Sequence, residues 1–244
     1  MIRHLPAVWN LAVLEMKFYV RDWLGFFWAI AFPLGVLLAG FFFWFPPQAR
    51  QFAVPGTLGM YIIATGVFSL SIGVTEARKN GTLKTYQASP LPGWVYIAAQ
   101  MLDRTLIILV ITVVLGLLGY LAYGLTPDGN LWAFGTVALL ATVTMLGFGF
   151  LIAAVAGSAQ AAGSLGALLF FFAYFASGTV ISLDKLPHLL RTVFPYFPFL
   201  PLVHTLSMVW TGLVDEQIWR HLAVLAGWAA LLSLLATRRL RWGP

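Results

Sequence analysis

From residue 131 to residue 183 the chain contains no Asp, Glu, Lys or Arg. A helix rises about 1.5 Å per residue, so this stretch is far longer than the roughly 30 Å of hydrocarbon in a bilayer and has to cross twice. The small, weakly polar residues 157–164 are where a turn is expected, which gives spans 131–156 and 165–183. A water-soluble fold is excluded by the same reasoning extended to the whole chain. Of its 244 residues, 61% are hydrophobic and 9% charged, against roughly 25% charged in soluble domains.

Four further apolar runs meet the length requirement. Residues 23–45 contain Pro33 and close at Pro46 and Pro47; residues 57–75 follow Pro55 and Gly56 and run uncharged to Glu76. Residues 106–125 stop at Thr126, Pro127 and Asp128, and the short run 222–236 is flanked by Arg220 and Arg238, which can snorkel from its ends. The expectation is an all-α integral membrane fold with six transmembrane helices in one domain, 1–244. The first apolar run follows about 22 residues carrying Glu15, Lys17, Arg21 and Asp22 and has no obvious cleavage site, so it reads as a retained span rather than a signal peptide.

With the N-terminus inside, ten basic residues fall in cytosolic segments: Arg3, Lys17, Arg21, Arg78, Lys79, Lys84, Arg104, Arg238, Arg239 and Arg241. Only Arg50, Lys185, Arg191 and Arg220 fall outside. That asymmetry satisfies the positive-inside rule, and predicts a multi-pass protein of the cytoplasmic (inner) membrane with both termini cytosolic. The net charge of +6 then faces anionic membrane lipid and is not read as a nucleic-acid site. There is no cysteine, and His4, His188, His204 and His221 lie outside the expected span cores, which leaves little for a metal or haem site. No charge sits mid-span, which argues against an ion or proton relay.

Three segments outside the spans carry functional signals. Residues 1–22 form an interfacial helix with two apolar stripes, one of Leu5, Val8, Trp9, Ala12, Val13, Met16, Val20 and Trp23, the other of Leu11, Leu14 and Phe18. A surface helix needs only one such face, so the second suggests a protein neighbour, with a plain anchor as the alternative. Residues 76–93 form the largest cytosolic loop, in which Asn80 and Gly81 terminate one helix and Thr82 caps a short new one ending before Pro90. So short a helix needs external support, and it presents Leu83, Tyr86 and Gln87 either to a cytosolic partner or to its own membrane domain. Residues 184–217 hold Pro187, Pro195, Pro198 and Pro201 in an apolar context. They predict two short helices dipping into the outer leaflet, or else an inert cap.

Glu76, Arg78, Gly81, Thr82, Leu83, Ser89, Pro90 and Leu91 read as E-x-x-x-G-T-L followed by S-P-L. This pattern resembles the ABC-2 type permeases, membrane subunits of ATP-binding-cassette exporters, and Gly81-Thr82-Leu83-Lys84 with Ser89-Pro90-Leu91-Pro92 looks like their multidrug and antibiotic-resistance branch. Lys84, Thr85 and Tyr86 depart from the charged-then-apolar pattern of many members. The resemblance implies that residues 81–90 are a coupling helix seated on a cytosolic ATPase, with Glu76, Arg78, Gly81, Thr82, Leu83, Tyr86, Gln87 and Pro90 as the coupling set. It implies an outer gate at Pro187, Pro198 and Pro201 and a transport route bordered by the first, second and fifth spans, where Phe41, Phe42, Phe68, Phe171, Tyr174 and Phe175 are the candidates. Packing or lipid contact is the ordinary reading of those rings. Ala159, Gly163 and Ala167 repeat at helix-packing spacing.

No Gly-x-x-x-x-Gly-Lys-Ser/Thr run occurs, so ATP and Mg belong to a partner ATPase and this chain holds no cofactor of its own. The expected partners are that ATPase, membrane lipid, and a second copy or a related permease. The expected cargo is amphipathic or lipophilic (a drug, natural product or lipid), with a lipid-linked polysaccharide as runner-up. A rhomboid-like protease fails because Gly163-Ser164-Leu165-Gly166 has the wrong order and no histidine stands in a span core. A membrane scaffold or sensor stays open on the residues alone.

Overall fold

The computed structural model describes residues 4–44, 47–88, 91–179 and 187–239, and among them there are helices and no strand. Helix α1 (Leu5–Arg21) is followed by α2 (Trp23–Ala39), which continues through Pro33 and passes into a π-helical turn, Gly40–Trp44. Next come α3 (Ala53–Ala64), a π segment (Thr65–Leu70) and α4 (Ser71–Lys79), which together with the preceding turn make one rod, Arg50–Lys79. The short α5 (Thr82–Ala88) leads to α6 (Gly93–Tyr123), α7 (Leu131–Val155) and α8 (Ala159–Ala176). Then α9 (His188–Val193), a 3-10 turn (Phe194–Tyr196), α10 (Phe199–Thr211) and α11 (Gln217–Arg239) complete the chain.

By length and composition five rods are able to cross a membrane: Arg50–Lys79, Gly93–Tyr123, Leu131–Val155, Ala159–Ala176 and Gln217–Ala236. The number rises to as many as seven if each of two bent pairs counts as one span. The first pair is α1 with α2, which turn by 97°, and the second is His188–Tyr196 with α10, bent by 74°. Asp22 shapes the first corner: its backbone leaves the helical region at ψ 82° and its side chain accepts from the Gly25 N–H.

One sequence expectation is corrected. The turn expected at 157–164 is confined to the residues between Val155 and Ala159. Ser158 adopts an extended backbone and its hydroxyl accepts from Ala161 N–H at 3.1 Å, so Ala159 onward is already helical. Small residues by themselves do not end a helix; the cap decides. The buried residues of α8 are Ala162, Gly166, Ala173 and Ala176, and Ala159, Gly163 and Ala167 are half-buried beside them, with Gly163 against Ile72 of α4.

The π segment packs backbone to backbone against both α7 and α8. A Cβ on Gly66 would stand within 3.0 Å of the Met145 backbone, one on Gly149 within 3.0 Å of the Gly66 carbonyl, and one on Gly166 within 3.0 Å of the Val67 carbonyl. These backbones touch, so dispersion between them is available only because the side chains are absent. At one end of the bundle Gly129 N–H donates to Trp210 O at 3.0 Å, docking the α6–α7 link on the end of α10. There too Trp228 Nε1 donates to Tyr196 O at 2.9 Å and Arg220 lies 4.7 Å over the Tyr196 ring, holding α11 to the same end. His221 is buried on α11 against His204 of α10, ring centroids 5.8 Å apart, although its position near a sequence boundary suggested a peripheral site.

Gly66→Ala and Gly149→Ala are each expected to lower the unfolding midpoint in detergent, at a loss of about 1–3 kcal/mol from overpacking. Gly135→Ala and Gly227→Ala, where a Cβ meets nothing within 4 Å, should be neutral or gain up to ~1 kcal/mol from helix propensity.

Candidate functional site at the α4–α5 corner

The opposite end of the bundle is built around the corner between α4 and α5. Asn80 N–H donates to Glu76 O at 2.8 Å and Gly81 N–H to Arg78 O at 3.2 Å, which ends α4. Gly81 takes φ +79°, the left-handed region where a side chain would be strained. Its carbonyl then accepts from Thr85 N–H at 3.2 Å, so Gly81 stands at the cap position of α5 and Thr82 is the first helical residue, a shift of one from expectation.

Glu76 is exposed. Arg78, expected to face a partner, turns inward: its Nη1 donates to Ala153 O at 2.9 Å and its Nη2 to Ala156 O. Leu83 is also corrected. It is fully buried with Val8, Leu11, Ala12, Leu70, Val74 and Tyr96 and so anchors α5 instead of being offered outward. Tyr86 is half-buried, its ring 5.3 Å from that of Tyr96. The outward face of α5 carries Thr82, Lys84 and Thr85. Beside it a cavity of about 170 Å³ is lined by Leu11, Tyr86, Leu91, Pro92, Gly93, Val95 and Tyr96. The Gln87 side chain, Ser89 and Pro90 lie outside the described residues.

A polar cluster next to this corner was missed. On α1 the packed side is Val8, Leu11 and Ala12 with Glu15 and Tyr19 half-buried in line with them, while Trp9, Phe18 and Trp23 are exposed. The chain therefore buries parts of both apolar stripes and the carboxylate between them. Opposite stands α6, which begins at Gly93, so Asp103 and Arg104 are buried inside a continuous helix rather than in a loop. Asp103 and Arg104 form an ion pair, and the Arg104 guanidinium lies 5.3 Å over the Tyr19 ring. A Cβ on Gly73 of α4 would be only 3.6 Å from Arg104 Nη2, so the guanidinium lies against that glycine. Glu15 accepts a hydrogen bond from Gln100 and feels the Arg104 charge, yet burial is the larger effect and pushes its carboxyl above the usual range. The signal was present: Glu15 lies seven residues after Val8 and four after Leu11, hence on their face.

Of the aromatic candidates, Phe68, Phe171 and Tyr174 gather around Phe170, with Phe175 against Tyr174, whereas Phe42 stands apart. Phe42 is exposed, 6.2 Å from Tyr123, and Phe68 meets Phe170 at 5.6 Å. Tyr174 stacks on Phe170 at 6.1 Å, whereas Phe171 and Phe175 are exposed on α8. The Phe41 side chain lies outside the described residues. At the far end Pro187 is exposed at the cap of α9, Pro198 is buried at the cap of α10, and Pro201 is buried in its first turn, where its missing N–H is no loss.

Because burial outweighs Arg104 at Glu15, Glu15→Gln should leave α1 packed. Glu15→Lys sets a second cation beside Arg104 and should expose residues 5–21 to amide exchange by about tenfold or more, equivalent to ~1.4 kcal/mol.

Comparison with known proteins gives three findings. Residues 6–211 match the model of the ABC-2 type transporter family. The chain is 21% identical over 243 residues to the putative transport permease YvfS of Bacillus subtilis (strain 168), covering 92% of this chain and 93% of that one. It is 24% identical over 147 residues to the probable multidrug ABC transporter permease YbhR of Escherichia coli (strain K12), covering 59% of this chain but only 40% of that protein. With five or more membrane-length helices and a family match over most of its length, this chain belongs to the ABC-2 type transporter family, the membrane permeases that work with an ATP-binding-cassette subunit.

Proposed function

We propose that the chain is the permease half of an ATP-driven exporter in the cytoplasmic membrane, crossing it six times with both termini cytosolic. The observation that carries this reading is α5: a seven-residue helix too short to persist alone, pinned from below by Leu83 and presenting Thr82, Lys84 and Thr85 outward. It is a rigid knob on a membrane domain, suited to a socket on a cytosolic ATPase that holds ATP and Mg. The six-span reading is supported by the 97° corner, which sets α1 across the start of α2 as an interfacial helix and leaves α2 with its π turn as the first crossing. It is supported as well by the two ends of the bundle. The α6–α7 link and α10 are joined at one end, and the end of α4 and the α7–α8 turn are joined through Arg78 at the other, as alternating crossings require.

The bent α9–α10 pair is the outer re-entrant gate in this reading, with Pro187, Pro198 and Pro201 setting its breaks. The exposed Leu165, Leu168, Phe171 and Phe175 of α8 face lipid or a second permease, a copy of this chain or a relative. An amphipathic or lipophilic cargo is supported by the apolar, aromatic character of that surface and by the multidrug label of YbhR.

The test is co-expression with the cognate ATPase, followed by purification and ATP turnover in lipid. Lys84→Glu, on the exposed face, is expected to abolish co-purification while leaving the permease melting unchanged. Leu83→Ala, which empties a buried site at about 2–5 kcal/mol, is expected to lower both. Retention of the ATPase at native levels by Lys84→Glu would remove α5 as the docking element.

A further inference from the structure

The last turn of a helix leaves its carbonyls without N–H partners, and buried ones need another donor. At the C-terminus of α7, Ala156 N–H returns to Ile152 O at 2.8 Å, and among the carbonyls the helix leaves over beyond it are those of Ala153 and Ala156, both buried. Arg78 of α4 supplies both donors, Nη1 to Ala153 O at 2.9 Å and Nη2 to Ala156 O. A guanidinium fits here for two reasons. Its planar fork spans two carbonyls at fixed spacing, and its charge is favoured at the negative end of the helix dipole. An ammonium has the charge but no such fork.

The consequence is mechanical. Arg78 stands three residues before Gly81, the corner that starts α5, and its guanidinium is fastened to the turn joining α7 to α8. The same α4 packs on α8, where a Cβ on Gly163 would meet Ile72 at 3.7 Å. The α7–α8 turn carries Gly157 and Ser158 exposed on the same cytosolic end as α5. We infer that Arg78 is a positioning residue that ties the α7–α8 turn to the coupling corner, so that α5, α4 and this turn move as one body when the ATPase acts. This rests on the proposed function and adds the route by which displacement of α5 reaches the fourth and fifth spans.

The chain contains no cysteine, so pairs of spin labels need no background mutations. Ala88→Cys with Gly157→Cys labels the last residue of α5 and the turn at two exposed sites and leaves Thr82, Lys84 and Thr85 untouched; a Cβ at Gly157 meets nothing within 4 Å. Ala88→Cys with Trp132→Cys, at the exposed far end of α7, reports motion of α5 along the bundle. Distances are measured in the permease–ATPase complex in lipid, without nucleotide and trapped with ATP and vanadate.

The expected result is a narrow 88–157 distance that is the same in both states while the 88–132 distance shifts. With Arg78→Gln the 88–157 distance broadens and shifts on trapping, although the ATPase still co-purifies, and Arg78→Lys recovers part of the native behaviour. A nucleotide-dependent 88–157 distance in the otherwise native chain overturns the inference, whatever the folding of the variants. An 88–157 distance in Arg78→Gln as narrow and constant as the native one overturns it too. Failure of the ATPase to co-purify with the unlabelled native chain sinks the proposed function itself, and is thereby told apart from failure of the Arg78 link.

Discussion

In hydrocarbon there is no water to satisfy a backbone N–H or C=O, and the rest of this structure follows from that constraint. It makes each crossing a helix, and it leaves the backbone groups at the helix ends to be met by water or by a side-chain donor or acceptor. The solutions are visible along the chain: the Asp22 carboxylate on Gly25, the Ser158 hydroxyl on Ala161, the Asn130 side chain on Trp132 and Ala133, and Arg78 on the end of α7. Where no side chain serves, glycine allows backbones to meet, as at Gly66 and Gly149.

The same economy shapes the end of the bundle at the α4–α5 corner. One apolar cluster, Val8, Leu11 and Ala12 from α1, Leu83 from α5, Val95 and Tyr96 from α6 and Leu146 and Phe150 from α7, gathers these four helices. Next to it the Glu15, Gln100, Asp103 and Arg104 groups sit buried between α1, α4 and α6. Burial dominates at Glu15, so the apolar cluster supplies the adhesion and the polar groups fix which face of α1 is inward.

The family pattern around Gly81 was legible because its chemistry is local: a left-handed turn at one position, a short helix after it, and a proline-rich exit. Side-chain direction was not. Arg78 and Leu83 were read as partner-facing because they lie within the motif, yet one pairs with a helix end contributed from more than seventy residues away and the other fills a core drawn from α1, α4, α5, α6, α7 and α11. Arg104 was counted among the basic residues outside the spans because hydropathy locates the apolar run at 106, whereas the helix itself begins at Gly93. On α8 the small residues marked where helices approach, and the partners decided how closely: Gly166 lies against the Val67 backbone, while Gly163 is half-buried against the Ile72 side chain.

By itself the sequence determined that this chain lives in a membrane, that it is helical, where most of the crossings lie and which family it resembles. Those are properties of composition, length and local turn chemistry, and the bilayer leaves few alternatives. Tertiary structure alone decided which faces are buried, which charges are paired, and which ends of the rods are fastened together. Such choices depend on contacts between residues far apart in the chain, and periodicity cannot distinguish an apolar face turned to lipid from one turned to protein, because both are apolar.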